Sequence, residues 1–125
     1  MNIAAIRGDE GSDLVCPDYL GEIGQQAWRT IRDVARNAGI VDDAGFALEL
    51  AAAAYEEYRL FKAEVEGCDA AIAAGTGSKA SRRISYDEMV KAVKRCHSGL
   101  DLFAIRPPSR IDPWSDPLRG MLPTA

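Results

Sequence analysis

A chain of 125 residues, 47% hydrophobic and 27% charged, has the length of one domain that folds by packing alone, without disulfides or structural metals. Its net charge of −4 argues against a protein that coats nucleic acid with its whole surface, because phosphate neutralisation needs clustered Lys and Arg. Cys16, Cys68 and Cys96 are odd in number and form no C-x-x-C pair, which argues against a disulfide framework or a zinc knuckle and predicts reduced thiols.

The start, Met1 to Glu10, lacks a basic n-region and a long apolar stretch, so no signal peptide is expected. No apolar run approaches the roughly 18 residues of a membrane span, and a soluble, intracellular protein is expected. Residues 1–15, rich in Gly and Asp without periodicity, read as a mobile arm.

A first helix is predicted over Glu22–Asn37. At about 100° per residue, Ile23, Ala27, Ile31, Val34 and Ala38 share one face, opposite Arg29, Arg32 and Arg36. Gly39 reads as the glycine that closes it, with Ile40 folding back onto the last turn.

Asp42 is a good N-cap for a second helix from Asp43 to about Glu66, closed by Gly67. Phe46, Ala47, Leu50, Ala51, Ala54, Tyr58, Phe61 and Val65 make its stripe, widened by Leu48, Ala53, Tyr55 and Leu60. A stripe that wide exceeds one partner helix, and the extra side is expected to meet a neighbouring subunit.

Ala70 to Ala74 reads as a helical turn, and Gly75 to Arg83 as a flexible linker. Ser85 with Glu88 three residues on predicts a capping box that starts a third helix. Tyr86, Met89, Val90, Val93, Cys96, His97, Leu100 and Phe103 form its apolar face, with Lys91, Lys94 and Arg95 opposite. Arg106-Pro107-Pro108 ends it. A tail over 111–125 carries Trp114, Leu118, Met121 and Leu122 among prolines, and no internal repeat is visible.

The elements define an all-α fold: a small three-helix domain over 16–110 with a long helical hairpin, between an arm and a Pro-rich tail.

Catalytic chemistry finds few candidates. His97 is the only histidine and sits at an apolar edge without a marked partner, which predicts a packed structural residue and no enzyme. Gly75-Thr76-Gly77-Ser78-Lys79 lacks the spacing of a phosphate-binding P-loop, so no nucleotide cofactor is expected, and no metal either. Asp42/Asp43 and Glu56/Glu57 read as a helix start and a solvated helix surface. A helix-turn-helix reading of Gly39-Ile40-Val41 fails because Asp42 and Asp43 would face phosphates at the entering end.

Charge is divided along the chain. Six basic and 14 acidic residues precede Thr76, and 9 basic and 5 acidic follow from it. Two basic surfaces become DNA-binding candidates. Arg29, Arg32 and Arg36 form a line that also reads as a solvated face, and Lys79, Arg82, Arg83, Lys91, Lys94 and Arg95 form a second cluster. Arg106 and Arg110 extend that cluster or tie the exit from the third helix.

Pro17, Tyr19 and Leu20 before the first helix, Trp28 on it, and Phe103, Ile105, Pro107, Ser109 and Arg110 after the third give a spaced pattern that resembles the small subunit of tailed-phage terminases. That family has an entry of Pro-aromatic-Leu and an exit of aromatic-Gly-Leu-Thr-Pro-Ser-Ser-Arg. Here Ala104 stands for Gly, Arg106 for Thr and Pro108 for Ser. The resemblance covers roughly Cys16 to Arg110 and contains no catalytic signature.

It implies a homo-oligomeric ring in the bacterial host cytoplasm that recognises the packaging start of double-stranded viral DNA and regulates the large ATPase/nuclease subunit, with no membrane partner. On that reading Phe46, Leu50, Tyr58, Phe61, Val93 and Leu100 supply core or subunit contacts, and Trp114 contacts the large subunit. The alternative is a small dimeric transcriptional regulator or protein adaptor.

Overall fold

The computed structural model describes residues 15–37, 39, 45–103, 112–119 and 121. Among them are three helices and no strand: α1 (Glu22–Asn37), α2 (Gly45–Ala73) and α3 (Lys79–Asp101). The 29-residue α2 is roughly 43 Å long at the α-helical rise and packs against both other helices.

The limits of α1 match the sequence pattern. Gly39 ends it with φ of +78°, its N–H donating to the Arg36 carbonyl at 2.9 Å. Ile40 lies outside the described residues, as do Ala38, Asp42 and Asp43. The buried face, however, is Gly24, Ala27, Trp28, Ile31 and Ala35, turned toward Trp28 from the predicted one. Ile23 stays exposed and Val34 half-buried, because the large Trp28 ring takes the central position against α2.

Two expectations for the middle of the chain are corrected. The second helix does not end at Gly67 but runs through it to Ala73. Gly67 faces open space, and the helix ends instead at Gly75, whose φ is +83°. There the Thr76 N–H donates to the Ala71 carbonyl at 2.9 Å and the Gly75 N–H to Ile72 at 3.0 Å, the paired bonds of a Schellman motif.

The third helix starts at Lys79, six residues before the predicted capping box. Ser78 is the cap, its hydroxyl accepting from the Ser81 N–H at 3.2 Å. Ser85 lies inside the helix and donates to Glu64 on α2 at 3.1 Å, and Glu88 pairs with Lys91 at 3.2 Å. The linker expected over Gly75–Arg83 therefore shrinks to the turn 74–78, in which Gly77 presses so close to Ile72 that a Cβ would sit 2.5 Å from the Ile72 nitrogen.

The long hairpin is formed by α2 and α3. Its antiparallel register is visible in cross-helix pairs from tip to base: Asp69 with Arg82, Glu64 with Ser85, Glu57 with Arg95, and Ala51 against Gly99. Gly99 is required by closeness, since a Cβ there would lie 2.8 Å from that of Ala51.

One core holds Leu20, Trp28 and Ile31 with Leu48, Tyr55 and Tyr58 of α2, Met89, Val93, Cys96 and Leu100 of α3, and Phe103 and Leu118. The wide α2 stripe is thus covered mostly by its own chain. Phe46, 79% exposed, and Leu60, 57% exposed, are the parts of it left open, while Leu50 and Phe61 are half-buried.

Candidate functional site

The conspicuous polar device near the base of the hairpin is Glu56. Its carboxylate accepts from the Gly21 N–H at 3.0 Å and the Gly24 N–H at 2.9 Å, the donors at the cap and third positions of α1. A side chain from α2 thereby caps a helix whose own sequence supplies none. A Cβ at Gly21 would fall 2.6 Å from Glu56 Oε2, and one at Gly24 about 3.0 Å from the carboxylate, so a larger residue at either position would make the carboxylate end of Glu56 shift. The solvated-surface reading is corrected at Glu56, whereas Glu57 is on the surface as expected and pairs there with Arg95 of α3.

A strap crosses the three helices. Asp112-Pro113-Trp114-Ser115 and Asp116-Pro117-Leu118-Arg119 form two consecutive turns of one design. In each, the Asp carbonyl accepts from the residue three on at 3.0 Å, and the carboxylate accepts from the N–H two on, at 2.9 Å in the first and 2.8 Å in the second. The doublet repeats Asp-Pro after four residues and is confined to these eight positions.

The doublet points Trp114 onto Tyr86 of α3, ring centroids 6.2 Å apart, and buries Leu118 in the core. Asp116 also accepts from the Tyr55 hydroxyl at 2.7 Å, and Arg59 donates to the same hydroxyl at 3.1 Å. Burial, followed by the Asp116 hydrogen bond, raises the Tyr55 pKa and keeps the phenol protonated. Met121 reaches the groove that Thr30 and Val34 of α1 line.

The basic candidates divide according to their partners. On α1, Arg29 is exposed, Arg36 is exposed at the last turn, and Arg32 lies over the Trp28 ring at 5.3 Å while pairing with Asp33 at 3.1 Å. On the hairpin, Arg82 is held by Asp69 at 2.5 Å, Lys91 by Glu88 and Arg95 by Glu57. Lys79, Arg83 and Lys94 are exposed, share one α3 face at about 100° per residue, and have no ion pair among the described residues.

At the hairpin tip a surface groove of about 560 Å³ opens between the end of α2 and the start of α3. Ile72 and Tyr86 give it apolar walls, Lys79 and Arg83 stand on one side, and the Asp69–Arg82 pair crosses it with Asp87 nearby. Arg82 also lies 5.7 Å over the Tyr86 ring. The cations are marked in the sequence, but Ile72 joins them only through the hairpin, and Trp114 reaches Tyr86 only through the strap.

Of the expected core or subunit contacts, Tyr58, Val93 and Leu100 are fully buried within the chain. Of the exit motif, Phe103 is buried, while Ile105, Pro107, Ser109 and Arg110 lie outside the described residues. His97 is buried and burial alone lowers its pKa; burial raises the Cys96 thiol to about 12. Among the described residues no group of three or more His, Cys, Asp and Glu gathers to hold a metal, and no helix is long and apolar enough to cross a membrane.

No protein-family model, curated protein or solved structure matches the chain.

Proposed function

We propose that this protein is a non-enzymatic assembly subunit of the small-terminase type, which oligomerises, holds the packaging start of double-stranded viral DNA and regulates a large ATPase/nuclease subunit. One observation carries the reading: Leu20 of the entry motif, Trp28 of the first helix and Phe103 of the exit motif, scattered over the chain, meet in a single core. These three residues therefore have a common physical task, closing both ends of the helical domain onto the core around α2.

Phe46 is the apolar side chain of α2 that the chain itself leaves most open, and it is the first choice for a contact between copies. Exposed Lys79, Arg83 and Lys94 on α3 are the first choice for phosphate contact, and repetition around a ring would multiply weak contacts through effective concentration. Arg82 and Arg95 are occupied by acidic partners and serve the hairpin. Trp114, 41% exposed on its strap, is the surface offered to the large subunit.

The test is the native mass of the full chain, with and without duplex DNA. A discrete mass of many subunits that falls in Phe46→Asp, with the helical circular-dichroism spectrum unchanged, is the expected result. A monomer or dimer at every concentration, DNA present or absent, would transfer the assignment to a dimeric regulator or adaptor.

A further inference from the structure

We infer that the groove at the tip of the α2–α3 hairpin binds single-stranded nucleic acid, gripping a phosphate between Lys79 and Arg83 and laying the adjoining base against the Tyr86–Trp114 aromatic pair. The inference rests on the nucleic-acid part of the proposed function and adds a substrate form and a site to it.

Lys79 and Arg83 are one turn apart on α3, so their side chains emerge side by side over the groove, uncommitted to any carboxylate among the described residues. Arg82 is not available in the same way, since Asp69 and the Tyr86 ring fix it. It instead lines the groove as half of an ion pair. Asp69 is neutralised by Arg82, and Asp87 follows Arg83 by one turn on α3, so a phosphate is best placed on the Lys79 side of Arg83, between the two uncommitted cations.

The aromatic component separates single strands from duplexes. A duplex presents phosphates but keeps its bases stacked inside, and gains nothing from Tyr86 or Trp114. Single strands are held by a positive groove combined with aromatic rings on which bases stack. Tyr86 lines the groove with the cations and is half-buried, and Trp114, whose ring centroid lies 6.2 Å from that of Tyr86, remains 41% exposed and extends the aromatic surface beyond the groove. The groove volume of about 560 Å³ falls within the range of sites that enclose small organic groups.

The two tryptophans make the test specific. Trp28 is 2% exposed in the core, whereas Trp114 is 41% exposed and packs on Tyr86 of the groove wall, so quenching by a ligand laid on Tyr86 reports Trp114. Oligothymidylate of about eight nucleotides, a length within the range covered by single-strand sites, would be titrated into the full chain. Intrinsic fluorescence and the anisotropy of an end-labelled oligonucleotide would be followed at several salt concentrations.

Quenching is expected in the native chain and absent in Trp114→Phe, which keeps a ring and binds within about threefold. Lys79→Ala with Arg83→Ala, both exposed, should weaken binding at least tenfold at low salt and reduce the salt slope by about 1 to 2. Tyr86→Leu should weaken it by about tenfold, the lower part of the range for loss of one stacked base. Duplex binding as tight as single-strand binding without quenching, or single-strand binding unmoved by the Lys79/Arg83 double substitution, overturns the inference while leaving the assembly reading intact. A monomeric protein that still shows salt-sensitive quenching would retain the site and remove the terminase-type role.

Discussion

The two halves of α2 are built differently. From Gly45 to about Leu60 the helix is enclosed: α1 docks through Trp28 and Ile31, α3 closes to Gly99 against Ala51, and the strap lies over Tyr55. Ala47, Leu48, Ala51, Ala52, Ala54, Tyr55 and Tyr58 are all buried there. From Phe61 to Ala73 Val65 alone is fully buried, and beyond it α2 is tied to α3 by polar contacts such as Asp69 to Arg82, with Glu64 to Ser85 just before. One long helix therefore serves as the centre of a core at one end and as half of a projecting tip at the other. At the tip the uncommitted cations Lys79 and Arg83 stand beside an apolar groove, and the candidate site lies there.

The largest effect should come from removing the strap's anchor in the enclosed half. Leu118→Ala should cost about 2–5 kcal/mol, the range for a buried Leu whose site collapses only in part, read as a fall in the urea midpoint with the slope unchanged. A cost below about 0.5 kcal/mol, the ordinary surface range, would show that the strap lies on the core without belonging to it.

Glu56→Ala comes next. Losing an acceptor for two N–H groups should cost about 1–2 kcal/mol, as for other helix caps, with Glu56→Gln in between because an amide keeps one acceptor oxygen. Equal stability of all three proteins would mean that water caps α1 equally well.

The smallest effect should fall at the tip and have the opposite sign. Gly67→Ala adds a Cβ into open space in a helix interior and should stabilise by about 0.5–1 kcal/mol. Hydrogen exchange localises the gain. Slower exchange confined to the tip residues of α2 and α3 would show that the tip opens independently of the core, whereas uniform slowing would show that the two halves unfold together.

What could be read from the sequence follows the range of each interaction. The α1 limits were legible because periodicity and Gly39 are local and agree. Gly67 was misleading because a glycine signals a helix end only when the chain needs positive φ there, and that position is Gly75. Ser85–Glu88 has the spacing of a capping box, yet Ser78 caps earlier, and the turn packed on Ile72 fixes it. Glu56 looked like a surface acid because its partners lie 32 and 35 residues away, beyond any helical spacing. At the candidate site the cations were legible as a cluster, but which of them are occupied depends on acids brought in by the opposite helix.

The Glu56 cap also orders events in time. The α1 segment leaves the ribosome before α2, but the carboxylate that satisfies its first N–H groups arrives only with residue 56. At 16 residues α1 is barely longer than the roughly 12–15 at which isolated helices become marginal even in Ala-rich sequences, so the nascent α1 segment should fluctuate until α2 has been made and then wind onto it. A nascent chain stalled before Glu56 emerges would be open to proteases and chaperones in a way that one stalled after it would not.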